Sequence, residues 1–293
     1  MKNTIFAIAA IAGLLFANTS VAQDKKEEKK DDSKRKTTLT ISNRGIYLSS
    51  ADSANGVKAG KVKKERTEGI FSSNFAMLDL GFNQLIDNTN YNDPAVKTFL
   101  DVPANMQNKS VFTLHTAKSI NVNIYPWMIK FRALKTEGQR IYLSSGIGFQ
   151  FYNFRFENPV TFAKNPARVT MDTIVFTKDK LAMNYLNVPL MLTFKTRVHK
   201  DDSGKSSKDK WLVYGFGITE GMRIDSWSKQ KSGARGKVKV HDAFGLADFN
   251  TCVSAEIGLE GFIRFYATYQ VTSLYSNGID QHPVSFGIRL GGI

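Results

Sequence analysis

Apolar and polar residues alternate along much of this chain, as they do in β-strands that have one apolar face. In residues 184–196, which read NYLNVPLMLTFKT, apolar side chains occupy every second position from Leu186 to Phe194. Most intervening positions are polar, including Asn187 and Lys195. Because successive side chains of a strand point to opposite faces, this segment has one apolar face, which must contact either a protein core or lipid.

The same alternation recurs in seven further segments, whereas helical periodicity is weak throughout. The eight predicted strands contain SNFAMLDLGFN, SINVNIYPW, RIYLSSGIGFQFYNFRF, NYLNVPLMLTFKT, WLVYGFGITEGMRI, the two stretches that flank GLEG, and VSFGIRLGGI. Most of them reach the roughly 9 to 11 residues with which a tilted strand crosses an outer membrane. The pattern therefore predicts an all-β protein.

The polar faces of these strands favour a membrane barrel over a soluble one. A soluble barrel is apolar inside, and Lys, Glu and Asp dominate its exposed polar face. Here the polar positions are mainly Asn, Ser, Thr, Gln and Gly with isolated charges. Such side chains suit a narrow, enclosed interior. We predict an eight-stranded antiparallel up-and-down transmembrane β-barrel over residues 73–293, with its apolar faces toward lipid.

The start of the chain and the connections agree with an outer-membrane location. An apolar run from Ile5 to Phe16 is followed by small residues at Ser20 and Ala22, which predicts a removed secretory signal over residues 1–22. This run is too short to span a bilayer as a helix. Most of the predicted connections alternate between short and long, as periplasmic turns and extracellular loops do.

Several of these segments resemble a known family. LDLGFN, SINVNIYPW, SGIGFQFYNF, NYLNVPLMLTFKT and VSFGIRLGGI are similar to segments of the PorT-type outer-membrane β-barrel proteins of the Bacteroidota. The resemblance implies a small, mostly eight-stranded barrel, and some members of the family are linked to protein secretion across the outer membrane. It implies no shared catalytic residues, so it does not by itself make this chain a secretion component.

Charged residues on the polar faces predict a polar network inside the barrel. Its predicted members are Asp79, Lys195, Glu256, Arg264 and Arg289. A three-residue loop over 259–261, with Gly261 left-handed, would place Glu256 directly opposite Arg264. The network is either an interior gate or an ion cluster that fills a sealed barrel. Eight strands enclose room for side chains only, which favours the sealed interior over a diffusion pore.

Aromatic residues near the predicted periplasmic strand ends indicate an interfacial belt. Trp211 and Phe262 are the residues that we assign to it. Trp127 also lies near a strand end, but it has the inward parity of its strand unless Pro126 shifts the register.

The chain is strongly basic, with a formal net charge of +14 and a pI of about 9.7. A secreted chain rarely meets nucleic acid, and no aromatic-rich basic motif accompanies the charge, so we expect no nucleic-acid partner. The sequence KQKSGARGKVKVH follows Trp227 in a predicted extracellular loop. It is either a solvated loop or a site for phosphate or acidic glycan.

Residues suited to catalysis or metal binding are sparse. His282 with Ser276, Asp280 or Ser285 is the best set for an enzyme that acts on lipid. No histidine has zinc-ligand spacing, so we expect no metal and no cofactor. Cys252 is the single cysteine, so it forms no internal disulfide and gives no lipid anchor at the predicted cleavage site.

Residues 23–72 form a charged arm between the predicted signal and the barrel. The segment TLTISNRGIYL within it predicts a small hairpin, while the surrounding composition predicts a flexible chain. We expect the arm to stay in the periplasm and to contact a periplasmic or secretion-machinery protein, or the lower mouth of the barrel.

Together these features predict a non-enzymatic integral protein of the cell outer membrane. Its expected role is structural, adhesive or secretion-accessory, through extracellular loops and the periplasmic arm, and its expected partners are outer-membrane lipid and lipopolysaccharide. Two alternatives stay open on the sequence alone: a lipid-modifying barrel enzyme, and a soluble periplasmic ligand-binding barrel.

Overall fold

The computed structural model describes residues 36–42, 45–51, 70–199, 209–261 and 263–291. The predicted signal peptide and most of the predicted arm lie outside these residues. The strands are β1 (Lys36–Ser42), β2 (Gly45–Ala51), β3 (Phe71–Asp87), β4 (Leu100–Asp101), β5 (Ile120–Lys135), β6 (Gln139–Arg155), β7 (Val160–Ala163), β8 (Arg168–Met171), β9 (Lys178–His199), β10 (Lys210–Ser232), β11 (Gly236–His241), β12 (Phe249–Leu259), β13 (Arg264–Gln270) and β14 (Gln281–Gly291).

Helices are few and short in this part of the chain. Helix α1 spans Pro94–Phe99, and three 3-10 helices span Ala104–Met106, Lys109–Phe112 and Thr116–Lys118. No helix among the described residues has the length and apolar character needed to cross a membrane. The prediction of an all-β protein is therefore confirmed.

Nine strands of the described chain form one antiparallel sheet. We call eight of them the main sheet, and the ninth, β11, pairs with β10 alone. The order of the eight is β10-β12-β13-β14-β3-β5-β6-β9, and β9 pairs in turn with β10. Each of the eight strands thus has two antiparallel neighbours within the main sheet, and neighbours in the sheet follow one another along the chain. The eight predicted segments fall on these eight strands. Separately, β1 and β2 pair as a two-stranded sheet at the predicted hairpin.

The two faces of the main sheet differ in polarity in the way that the alternation predicts. The inner face is buried and largely polar, with Asn83, Asn121, Asn123, Gln150, Asn187, Thr193, Ser285 and other polar residues at 7% exposure or less. The outer face exposes large apolar residues, including Leu80, Phe82, Ile124, Phe149, Phe216, Ile218, Ile257, Phe265 and Phe286. This polarity is the reverse of that in a water-soluble domain.

One position of the outer face interrupts the apolar pattern. Glu220 lies between Ile218 and Met222 on β10, and its carboxylate accepts a hydrogen bond from the Thr251 hydroxyl at 3.0 Å. The strand bulge lies further along, between Arg223 and Asp225, rather than at Glu220.

Glycines on the inner face allow two strands and an aromatic ring to approach closely. Gly81 of β3 and Gly287 of β14 are register partners, and Gly287 also faces Tyr266 of β13. A Cβ atom at Gly287 would lie 2.1 Å from the Leu80 carbonyl oxygen, and one at Gly81 would lie 2.5 Å from the Tyr266 hydroxyl. The tyrosine ring therefore occupies the space that two side chains would otherwise fill.

The connections at one end of the main sheet fold into a cap. The cap consists of residues 88–119, 156–177, 233–248 and 271–280, which follow β3, β6, β10 and β13, and it contains the small sheet β4-β8-β7. Its apolar side chains pack against the inner faces of β6 and β9 at this end of the main sheet. The resulting core includes Val96, Phe99, Leu100, Phe112, Tyr152, Phe154, Phe156, Phe162, Leu181, Met183, Tyr185, Phe244, Leu246, Leu274 and Tyr275.

The prediction that the basic segment after Trp227 is a loop is wrong, because most of it is strand. β10 continues to Ser232, and β11 returns along it in antiparallel register from Gly236 to His241. Ser228 and Ser232 alternate with Lys229 and Lys231, so the segment keeps the two-residue period of a strand while carrying few apolar residues. Gln230 anchors it to the cap through the Val160 carbonyl at 3.1 Å.

Replacing Gly287 by Ala will destabilise the main sheet, because the added methyl group collides with backbone atoms that cannot move without separating β14 from β3. Overpacking of this kind costs about 1–3 kcal/mol. We expect the temperature of thermal unfolding in detergent micelles to fall. Gly138→Ala is the control, since no atom lies within 4 Å of a Cβ there. Equal unfolding temperatures for both variants would contradict the packing described.

Candidate functional site

Four of the predicted interior charges meet on the inner face of the main sheet. The Arg289 guanidinium donates two hydrogen bonds to the Asp79 carboxylate, Nε to Oδ1 at 2.7 Å and Nη2 to Oδ2 at 2.8 Å. Its Nη1 donates to Glu256 Oε2 at 3.0 Å. Arg264 Nη1 lies 3.3 Å from the same Glu256 oxygen. These four side chains, which we call the ion cluster, are all buried.

Neutral partners complete the hydrogen bonding of the ion cluster. Asn123 donates to Asp79 at 3.2 Å, the Thr193 hydroxyl donates to Glu256 at 3.3 Å, and Arg264 donates to the carbonyl of Gly291. The cluster and these partners come from β3, β5, β9, β12, β13 and β14. Two guanidinium groups balance two carboxylates, so the arrangement links six strands without a net buried charge.

The predicted direct opposition of Glu256 and Arg264 is wrong, although the two residues do form an ion pair. Gly258 is the register partner of Arg264, and Tyr266 is the partner of Glu256, a shift of two residues. Gly261 is left-handed as predicted, with a φ of 78°. The turn is longer than three residues, and an even shift keeps both side chains on the inner face.

Lys195 lies inside the main sheet, but its ion pair is separate from the ion cluster. Its side chain is 1% exposed, and its ammonium group lies 2.8 Å from Glu260 in the turn between β12 and β13. The ring of Tyr142 lies 5.4 Å from the same ammonium group. Lys195 therefore forms a second, separate ion pair at the end of the sheet opposite the cap.

The interior is filled rather than open along the described strands. The cavity beside Glu256, Arg264 and Arg289 has a volume of about 20 Å³, which is room for about one water molecule. Nearer the cap, the Asn250 amide donates to Gln150 at 3.1 Å, and the Gln150 amide donates to Tyr152 at 2.9 Å. Above this amide layer lies the apolar core of the cap.

Replacing Arg289 by Gln will destabilise the fold strongly, because Asp79 and Glu256 would both lose their principal counter-ion while they remain buried. Breaking a buried ion pair on one side costs about 3–5 kcal/mol. The free energy of unfolding in detergent micelles measures the loss, and the double variant D79N/R289Q should lose less than the sum of the single variants.

The matched control is Arg168→Gln, which removes an exposed ion pair with Asp101 at 3.7 Å. Exposed pairs contribute about 0–1 kcal/mol, so the control should unfold almost as the wild type does. An R289Q protein as stable as R168Q would show that the ion cluster does not hold the strands together.

The structure tests only one of the two residues that the sequence assigns to an interfacial belt. Trp211 is 6% exposed and lies on the inner face of β10, with the Arg140 guanidinium 4.5 Å above its ring. The assignment of Trp211 to a lipid-facing belt is therefore wrong, because Leu212 and Tyr214, not Trp211, have the outward parity. Phe262 lies outside the described residues. Trp127, whose register shifts near Pro126, is 37% exposed.

Of the predicted catalytic set, Asp280 contacts His282, whereas Ser276 and Ser285 form hydrogen bonds elsewhere. His282 Nε2 lies 3.0 Å from Asp280, and its Nδ1 lies 3.0 Å from the carbonyl oxygen of Gln270. The Ser276 hydroxyl donates to the Gly245 carbonyl, and the Ser285 hydroxyl donates to Asn83. Both ring nitrogens thus have partners other than a serine, and this geometry does not activate a nucleophile.

Cysteine and metal-ligand chemistry is limited in the described part of the chain. Cys252 is a free, buried thiol on the inner face, with its sulfur 3.8 Å from the Tyr152 hydroxyl. No group of three or more His, Cys, Asp and Glu side chains among the described residues is arranged to hold a metal ion.

Asp179 is a buried acid that the sequence analysis does not identify. It lies at the cap end of β9 and is 4% exposed. Burial raises the pKa of Asp179 to about 7, although Val160, Gln230 and Arg155 act in the opposite direction. The alternation around Asp179 marks it as inward-facing, but only the packing of the cap shows that this position is dry.

Asp179 makes the stability of the protein pH-dependent. Below about pH 4 its carboxyl group is protonated in both folded and unfolded states, and between about pH 4 and 7 only the folded state keeps the proton. The folded state is therefore favoured at low pH, and its stability falls by about 2–4 kcal/mol as the pH rises from about 4 to about 7. Asp179→Asn should remove this loss, so the variant should exceed the wild type in stability at pH 8.

Thermal unfolding in detergent micelles at a series of pH values from 4 to 8 measures this effect. Asp101→Asn is the control, since Asp101 is an exposed acid, and it should keep the wild-type pH dependence. A D179N protein with the wild-type slope would show that Asp179 is not the titrating group.

Comparison with solved structures finds proteins of similar fold. The crystal structure of Ail, the attachment invasion locus protein of Yersinia pestis, is similar at 8% sequence identity and a TM-score of 0.26, over 74% of this chain and 98% of the Ail chain. No protein-family model and no curated protein matches the sequence. The fold therefore rests on the strand pairings and burial described above.

Proposed function

We propose that this chain is a non-enzymatic integral protein of the outer membrane, in which the main sheet is a closed, eight-stranded transmembrane β-barrel. The observation that carries the proposal is the inverted polarity of the main sheet. Its outer face exposes a band of large apolar side chains, while its inner face buries amides, hydroxyls and charged groups, among them the ion cluster. Lipid around the barrel would keep these apolar side chains out of contact with water.

The height of the apolar band supports a membrane position. On β10 the outward positions run from Leu212 to Ile224, and the next outward position is Asp225, which pairs with His241. Twelve steps of roughly 3.3 Å, tilted by about 40°, span about 30 Å, close to the apolar band of about 25 Å in outer-membrane barrels. The cap then lies on the extracellular side, because it contains the long connections.

The filled interior favours a structural or adhesive role over transport. The ion cluster, the amide layer and the apolar core of the cap lie one above another along the axis, and the cavity beside the ion cluster holds only about one water molecule. A binding partner outside the cell would then contact the cap. The resemblance of the strand sequences to PorT-type proteins supports membership of that family. We also propose a secretion-accessory role in which residues 23–72 contact a periplasmic or secretion-machinery protein.

Fractionation of cells tests the proposal directly. We expect the protein in the outer-membrane fraction, and we expect the extracted protein to migrate differently on a denaturing gel with and without boiling. The mobility shift follows from a closed barrel whose hydrogen bonds resist detergent until heated. Recovery in the periplasm after osmotic shock would overturn the proposal, because the outer face would then have to be covered by protein.

A further inference from the structure

Basic residues are aligned across four strands at the cap end of the main sheet, and we call this arrangement the basic ladder. Each row consists of direct register partners: the first row is Arg155, Lys180, Lys229 and Lys239, and the second is Lys178, Lys231 and Lys237. Like charges that face each other directly across strands destabilise a sheet. Seven of them on one face form an arrangement that folding alone does not favour.

Carboxylates do not neutralise the basic ladder within the described part of the chain. Three nearby acids pair elsewhere: Asp172 with Arg235, Asp225 with His241, and Glu157 with His115. A fourth, Asp179, is buried on the opposite face of β9. Burial and the charges of neighbouring lysines lower the pKa of Lys180 to about 8, and the charge of Lys237 is the main cause that lowers the pKa of Lys229. The ladder therefore lacks an anionic counterpart within this part of the chain.

The opposite face of the same strands is fixed to the cap, which gives the ladder a defined position. The Gln230 amide donates to the Val160 carbonyl at 3.1 Å and to the Thr161 hydroxyl at 2.9 Å, and Ser228 and Ser232 are buried. Gln230 lies between Lys229 and Lys231 in sequence, so the lysines point away from the cap. They therefore lie on the same side of the sheet as the apolar band.

A tryptophan marks the boundary between the apolar band and the basic ladder. Trp227 occupies the row directly below Lys229, with His241 as its partner on β11. The ammonium group of Lys239 lies 4.4 Å from the centre of its ring, and that of Lys180 lies 5.8 Å away. Aromatic residues of this kind lie at the membrane–water interface of outer-membrane barrels, which puts the lysines about 5 Å beyond it.

We propose that the basic ladder binds the phosphate groups of lipid A, the membrane anchor of lipopolysaccharide, in the leaflet around the barrel. This inference rests on the proposed function, since it requires the apolar band to lie in the outer membrane. Lipid phosphates fit better than a soluble polyanion because the ladder faces sideways, directly above the lipid-covered surface. Two rows of cations across four strands also match a ligand that carries two separate phosphates.

Binding of purified lipid A to the folded protein in zwitterionic detergent tests the inference. The probes are bisphosphorylated lipid A and the same lipid with both phosphates removed. We expect the wild type to bind the phosphorylated lipid at least about tenfold more tightly, with an affinity that falls as salt increases. The triple variant K180Q/K229Q/K239Q should lose about tenfold or more of this affinity.

The matched control is K97Q/K109Q/K118Q, which removes three exposed lysines of the cap that lie outside the ladder. It should bind within about twofold of the wild type. Three results would overturn the inference: equal affinity of the triple variant and the wild type, equal binding of the two lipids, or tighter binding of heparin than of lipid A at the same salt. A heat-dependent mobility shift in all three proteins separates these results from failure of the proposed function, whereas its absence in the wild type would overturn both.

Discussion

The bidentate contact between Arg289 and Asp79 is the interaction on which the rest of this structure depends. A guanidinium enclosed by a protein must keep its donors occupied, and Arg289 does so with two carboxylates from two other strands. These contacts, with those of Arg264, fix the relative positions of β3, β12, β13 and β14. The opposite face of these strands is the outer face of the main sheet, which carries apolar side chains along most of its length.

The interior and the cap form one continuous stack. The ion cluster lies toward the end of the sheet opposite the cap. An amide layer around Gln150 and Asn250 lies next to it. Aromatic side chains, including Tyr152 and Phe244, form the core nearest the cap. Polar groups fill much of the interior, and buried apolar residues form the core of the cap and a smaller cluster of Met77, Tyr125 and Met128. The surface chemistry is consequently concentrated on the cap and on the basic ladder beside it.

Much of this arrangement could be predicted from the sequence, because a two-residue period determines which side chains share a face. That rule located Asp79, Glu256, Arg264 and Arg289 on one side and the large apolar residues on the other. The assignment of Trp211 to the interfacial belt failed because it relied on residue type, whereas the parity of Trp211 points inward. The two-residue rule also missed the cap and the continuation of β10, since these depend on contacts between distant segments, such as Gln230 with Val160, that no local pattern encodes.

The central claim is that lipid contacts one face of the main sheet while the other is sealed. Spin labels at Phe286 and Ser285, introduced as single cysteines in a C252S background in lipid nanodiscs, test it most directly, since these neighbours face opposite sides of β14. We predict that the label at Phe286 is relaxed by oxygen, which dissolves in lipid, and not by a water-soluble nickel chelate, while the label at Ser285 is shielded from both. Strong relaxation of the Phe286 label by the chelate would contradict the account.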